Sequence, residues 1–204
     1  SMKAAPRVAG SGNVFALLEN RMVTLGMLAV GTFFMGQFVL FTYVRPFLET
    51  VTQVDVSTLS MILLTLGVAG FVGTTLISGF LKWGMYGTLV TIPLLMAAIA
   101  LALIGFGASV AVALVLLGLW GLVATAAPVG WWSWLARSVP KNAEAGGGLM
   151  VAVIQLCIAL GSTLGGVLFD GSGYRATFVA SAVLLVGAAT LAFLTSRAQA
   201  SPAA

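Results

Sequence analysis

The sequence predicts an all-α integral membrane protein whose six transmembrane helices form two inverted three-helix repeats. Three observations predict it. Of 204 residues, 60% are hydrophobic and 7% are charged, where an ordinary soluble domain carries roughly 25% charge, and the mean hydropathy is +1.13. Nine Lys/Arg and five Asp/Glu cannot keep such a surface wet, which excludes a soluble domain, and disorder needs low hydrophobicity. Second, charges and turn residues divide the chain into six apolar runs, each long enough to cross ~30 Å of hydrocarbon. Third, Gly79-Phe80-Leu81-Lys82-Trp83-Gly84 at the end of the second run echoes Gly166-Val167-Leu168-Phe169-Asp170-Gly171 at the end of the fifth, sharing Gly, Leu and Gly at the same offsets. Those runs are equivalent if the helices form two sets of three, and an odd number per set makes the sets inverted.

The head, residues 1–20, lacks a signal-peptide layout, because Val14-Phe15-Ala16-Leu17-Leu18 is too short for an apolar core. It is expected to lie along the inner membrane face as a short amphipathic helix. The membrane domain covers 21–197. Its runs extend from Arg21 to Arg45-Pro46, Val56 to Leu81, Trp83 to Phe106, Ser109 to Arg137, Glu144 to Asp170, and Arg175 to Arg197. A tight turn is expected at Gly105–Ser109, and 198–204 form a short tail. With an even number of crossings both termini share one side. That side holds Lys3, Arg7, Arg21, Lys82, Arg137, Lys141 and Arg197, against Arg45 and Arg175 opposite. Cytoplasmic loops collect Lys and Arg, so both ends are expected in the cytoplasm, with Trp131, Trp132 and Trp134 at the inner interface.

Every charge sits at or beyond the end of a run. The chain therefore offers no intramembrane carboxylate for proton or cation coupling and no charged ring for an ion filter. It has no His and a single Cys157, which removes Ser–His and Cys–His catalysis, a disulfide framework and a Cys-based metal site. No enzyme, metal, cofactor or nucleic-acid partner is expected, and Cys157 is read as a small apolar filler.

Two amides lie deep, Gln37 in the first run and Gln155 in the fifth. An unpaired amide in hydrocarbon costs several kcal/mol, so each should face protein or a wet cavity. Helical spacing puts Phe33 and Phe41 on the face of Gln37 with Phe34 beside it. An amide between rings suits a small amphipathic solute, and it equally suits a hydrogen bond to a neighbouring helix. In the fifth run, Gly148, Ala152, Gln155, Ala159, Ser162 and Gly166 form one stripe, with Gly161 and Gly165 as a small-xxx-small pair. Such residues let helices approach closely, and packing is the expected use. The second run repeats the theme with Ser60, Gly67, Gly70, Gly73, Thr74 and Ser78. In the fourth, Trp120, Ala124, Ala127 and Trp131 share a face beside Pro128, and Trp120 is read either as packing or as a solute platform.

Several segments together resemble the C-terminal half, spans seven to twelve, of a major facilitator superfamily transporter. Within that family the resemblance is to drug:proton antiporters of the arabinose and sugar efflux type. The residues that carry it are Gly36-Gln37-Phe38, Phe41-Thr42-Tyr43-Val44-Arg45-Pro46-Phe47-Leu48-Glu49, and Leu66-Gly67-Val68-Ala69-Gly70-Phe71-Val72-Gly73. Leu119-Trp120-Gly121, Ala127-Pro128-Val129, Trp134-Leu135-Ala136-Arg137, and Gly165-Gly166 with Asp170, Gly173, Arg175, Ala176, Thr177 and Phe178 complete it. The resemblance implies one lobe of a carrier that rocks around a central cavity, exporting a sugar-like or amphipathic solute, or a drug, in exchange for protons. Gln37, Phe33, Phe41, Trp120 and Gln155 are then the candidate solute-binding residues, and Gly79, Lys82, Gly84, Arg45, Asp170 and Arg175 the candidate gating residues. The family's acidic residue in the Gly79–Gly87 loop is replaced here by Trp83. The implied partners are the bilayer of the inner membrane, the solute, and an N-terminal six-helix lobe from the same longer chain, a separate chain or a self-paired copy. The competing expectation is a six-helix membrane protein that transports nothing, serving assembly or left as a remnant.

Overall fold

The computed structural model describes residues 14–200, and their side chains from Leu17 onward. The expectations for most of the head and for the end of the tail lie outside the described residues. Among the described residues all regular structure is helical: α1 (Val14–Glu19), α2 (Arg21–Phe41), α3 (Val44–Phe47) continued by one π-helical turn (Leu48–Thr52), α4 (Val56–Phe106), α5 (Val110–Ser138) and α6 (Ala143–Ala200). Among the described residues, four stretches are long and apolar enough to cross a membrane, Arg21–Thr52, Val56–Phe106, Val110–Ser138 and Pro140–Ala200. That is compatible with a membrane protein.

Local chemistry sets the ends. The Asn20 side chain accepts from the backbone N–H of Met22 and Val23 at 3.0 and 3.4 Å and opens α2. Asp55 opens α4 by accepting from the Thr58 N–H at 2.9 Å. The Thr58 donors hold the Asp55 carboxyl below the usual carboxylate range. α4 ends at Phe106, and Ser109 precedes α5 after a two-residue turn.

α4 and α6, at 51 and 58 residues, would be about 75 and 85 Å long if straight. They are not straight. α4 breaks at Gly84, where the backbone is extended (φ −179°, ψ 96°). Thr88 Oγ1 donates to the carbonyls of Gly84 and Phe80, at 2.9 and 3.3 Å, although residues 80 and 88 would be ~12 Å apart along a continuous helix. α6 breaks at Gly173 (φ 78°, ψ 175°), a region that only glycine occupies without strain. There Thr177 Oγ1 donates to the Gly165 carbonyl at 3.3 Å. Each long helix thus folds back as two limbs. The breaks fall just beyond Lys82-Trp83 and between Asp170 and Arg175, where the sequence separates its apolar runs.

The limbs pair in a definite sense. Gly31, Met35 and Val39 of α2 lie against Cys157, Gly161 and Gly165 in that order, so α2 and the first limb of α6 run parallel. Leu66 and Gly70 of α4 lie against Gly121 and Thr125, so the first limb of α4 runs parallel to α5. The return limbs run the other way: Tyr86 meets Trp134 and Leu89 meets Gly130, while Gly187 and Leu184 meet Thr32 and Gly36. A Cβ on Gly161 would stand 2.5 Å from the Met35 carbonyl oxygen, and one on Gly73 would collide with Leu122 backbone. Backbone-to-backbone contact of this kind excludes any side chain there.

Two expectations are corrected. The packing face of α6 is carried by Gly146, Met150, Gly161 and Gly165, whereas Gly148, Ala152, Gln155 and Ala159 of the expected packing stripe are exposed. Likewise Trp131 and Trp134 point into the core rather than outward, as amphipathic rings of an interfacial belt would. They are buried and meet edge to face at 5.9 Å, and only Trp132 projects outward. The reason is Gly26, where a Cβ would overlap the Trp134 ring. At the opposite end, buried Phe47 packs on Tyr174 and Phe178 with centroids 5.3 and 4.9 Å away, and Thr52 Oγ1 donates to the Gly107 carbonyl at 2.7 Å.

Candidate functional site

Within the described residues, two buried side-chain polar atoms lack a hydrogen-bond partner: Gln37 Oε1 and Trp120 Nε1. One accepts and the other donates. Buried polar groups are nearly always satisfied, so each such exception asks for a function. Their relative depth follows from the helix directions. The second limb of α4 starts beside Trp134 and ends beside Phe47, so it runs with α2, and α5 runs against both. Taking the Gly26–Trp134 contact as a common level, Gln37 lies ~16 Å along α2 and Trp120 ~21 Å along α5. The acceptor and the donor therefore share a depth to within about 5 Å.

The rings flanking Gln37 differ in setting. Phe33 is fully buried and meets Phe34 edge to face at 5.4 Å. Phe41 is exposed and pairs with Phe38 at 5.9 Å. Trp120 is fully buried together with Ala124, Ala127 and Trp131, so its ring is packed and its N–H is what remains unused. Gln155 is exposed on the outer face of α6. Because Cys157 is level with Gly31, Gln155 lies ~12 Å below Gln37, and the structure does not bring the two amides together.

A polar seam that the sequence did not single out joins α2 to α6. Tyr43 Oη donates to the Ser162 carbonyl at 3.0 Å, Thr42 Oγ1 and Ser162 Oγ lie 2.9 Å apart, and Tyr43 stacks on Phe169 at 5.2 Å. Tyr43 and Ser162 were each visible in motifs, but their meeting depends on the parallel register of two helices 119 residues apart.

The candidate gating residues fall into separate places. Gly79 and Lys82 are exposed just before the Gly84 break. Beside them Trp83 is 93% exposed, on the rim of an apolar cavity of about 520 Å³ between the limbs of α4. Arg45 pairs with Glu49 at 2.8 Å, the one ion pair among the described residues. Arg175 Nε donates to Tyr174 Oη at 3.3 Å, and Asp170 is exposed with no ion pair to either arginine. The two unpartnered atoms offer one acceptor and one donor, groups suited to hydrogen bonding. No cluster of His, Cys, Asp and Glu among the described residues could hold a metal ion.

No protein-family model matches the chain. It is similar to the Pseudomonas aeruginosa protein named transcription regulatory protein OpdE, 61% identical over 203 residues, which is 98% of this chain and 50% of that protein. It is also similar to the purine ribonucleoside efflux pump NepI of Salmonella enteritidis, and to that of Salmonella typhimurium. Each is 40% identical over 174 residues, 85% of this chain and 44% of the pump. The chain spans about half the length of the curated relatives it matches.

Proposed function

We propose that this chain is the C-terminal lobe of a major facilitator efflux carrier, and that Gln37 and Trp120 recognise its solute. The reading takes the limbs of α4 and α6 as separate crossings, which gives six with α2 and α5, in two inverted sets of three. Both termini then face the cytoplasm from the inner membrane, on the side holding seven of nine Lys/Arg. The observation that carries the function is the unpartnered Gln37 oxygen deep in an apolar bundle, level with the unpartnered Trp120 N–H. A bundle selected only for stability has no use for either. Gln155, lower on the exposed face of α6 with Ala152 and Ala159, faces the cavity shared with the other lobe.

The solute is small and amphipathic, with a sugar-like part. The similarity to pumps named for purine ribonucleosides favours a nucleoside, which joins a hydroxylated sugar to an aromatic base carrying both donors and acceptors. Proton coupling is assigned to the N-terminal lobe, since no carboxylate lies inside an apolar run here. A second reading is favoured by the regulatory name of the 61% identical relative. It is compatible with export: a carrier that lowers the cytoplasmic level of an inducer alters transcription without touching DNA. The test is nucleoside efflux from proteoliposomes holding this chain with and without an N-terminal lobe. Export only when both are present is the expected result. Export abolished by Gln37→Ala at normal expression supports the site, and unaltered rate and affinity overturn it.

A further inference from the structure

A second cavity, about 630 Å³, opens at the Trp134 end of the bundle, where the start of α2 meets the end of α6. Arg21 and Arg197 both line it, with Met22 and Leu194 as its apolar part. Neither arginine forms an ion pair among the described residues. The sequence outside those residues, 1–13 and 201–204, brings Lys3 and Arg7 but no Asp or Glu. Two like charges on one wet cavity repel, and a bound anion relieves them both. The first N–H groups of α2 are already taken by the Asn20 side chain, so the attraction rests on the guanidinium groups, with the helix dipole adding the same sign.

Two of the side chains lining the cavity are held by contacts of their own. The Arg197 guanidinium lies over the Phe193 ring, 5.1 Å from its centroid, which limits its freedom. Gln199, also lining the cavity, accepts from Tyr86 Oη, which in turn accepts from Trp134 Nε1 at 3.1 Å. This relay ties the end of α6 to α4 and α5. Arginine presents planar, forked donors that match phosphate oxygens. Both arginines stand where apolar helices end, the level of a bilayer's phosphate layer, and Met22 and Leu194 suit the first carbons of an acyl chain.

We propose that this cavity binds a phosphate-bearing anion between Arg21 and Arg197, clamping the start of α2 to the end of α6. The shared chemistry has two sources, an anionic phospholipid headgroup and free phosphate, which one experiment separates. The purified full chain in detergent is titrated with phosphatidylglycerol, phosphatidylcholine and inorganic phosphate, with binding read by native mass spectrometry and by the unfolding temperature. The same titrations are run on R21Q/R197Q and R21K/R197K. Phosphatidylglycerol binding that is roughly tenfold weaker in R21Q/R197Q, with no response to phosphate, supports the lipid. The same loss seen with inorganic phosphate supports the free anion. R21K/R197K keeps the charge without the fork, so it should retain partial binding even if R21Q/R197Q does not fold. Equal binding of the two lipids, or Lys and Gln variants that bind like the parent chain, overturns the proposal. None of these outcomes depends on whether the chain belongs to a carrier.

Discussion

Ser181 Oγ donates to the Gly36 carbonyl oxygen at 2.7 Å, joining residues 145 positions apart inside the bundle. The bond fixes α2 at the position immediately before Gln37. Ser181→Ala should lower stability by about 0.5–1.5 kcal/mol, read as a small drop in unfolding temperature in detergent. It should also weaken solute affinity, because Gln37 loses its anchor. A drop in stability with affinity unchanged separates the bond from the site.

Gln37→Leu and Trp120→Phe should behave in the opposite way. Each removes a buried polar atom that has no partner: Gln37→Leu should hold or gain stability, by up to about 1–3 kcal/mol, whereas in Trp120→Phe the void left in a fully buried, packed site offsets that gain. Efflux should fall at least tenfold. Thermal unfolding and transport measured on the same preparation show whether the two properties move apart. If both fall together in Gln37→Leu, that residue serves packing.

The two breaks differ in what they tolerate. Gly173 sits at φ 78°, so Gly173→Ala should cost about 1–3 kcal/mol. Gly84, at φ −179° with open space around it, should accept Ala at little cost. Expression and unfolding temperature of the pair provide the comparison.

Close helix approach gives a third contrast. Gly161→Leu drives a side chain into the Met35 carbonyl, and overpacking of this kind costs about 1–3 kcal/mol or more. Gly148→Ala, on the exposed face with open space around it, should leave stability unaltered. Fluorescence-detected size exclusion of both variants checks it.

The Asp55 cap carries a pH dependence. Its carboxyl is held below the ordinary range by the Thr58 donors. A lowered folded-state value means the stabilisation is present above the unfolded pKa, near 3.9, and is lost as pH falls through the folded value. Fraying of the start of α4 should therefore appear only in acid, below about pH 4. Asp55→Asn should remove that dependence while keeping the cap, as hydrogen exchange at Thr58 would record.

Much of this was legible in the sequence, because in lipid the chain advertises its apolar lengths. Charges at Lys82, Asp170 and Arg175 placed the interruptions close to Gly84 and Gly173, and Gln37 stood out as an amide with no reason to be deep. Which face of each helix meets protein was not legible. In water the buried face is the apolar one, but here Gly148, Ala152 and Ala159 look as packable as Gly161 and Gly165, since lipid is as apolar as any neighbour. The burial of Trp134 was hidden for a related reason: the gap that admits it is Gly26, 108 positions earlier, and no local pattern links the two.

The pairing of α2 with the return limb of α6 bears on how the chain is made. α2 leaves the ribosome some 145 residues ahead of Ser181, an interval of roughly 7–30 s at ordinary elongation rates. During that time the notch at Gly36 lacks the Ser181 hydroxyl that fills it in the finished fold. Slowed translation of the last hairpin should therefore expose α2 to membrane quality-control proteases first.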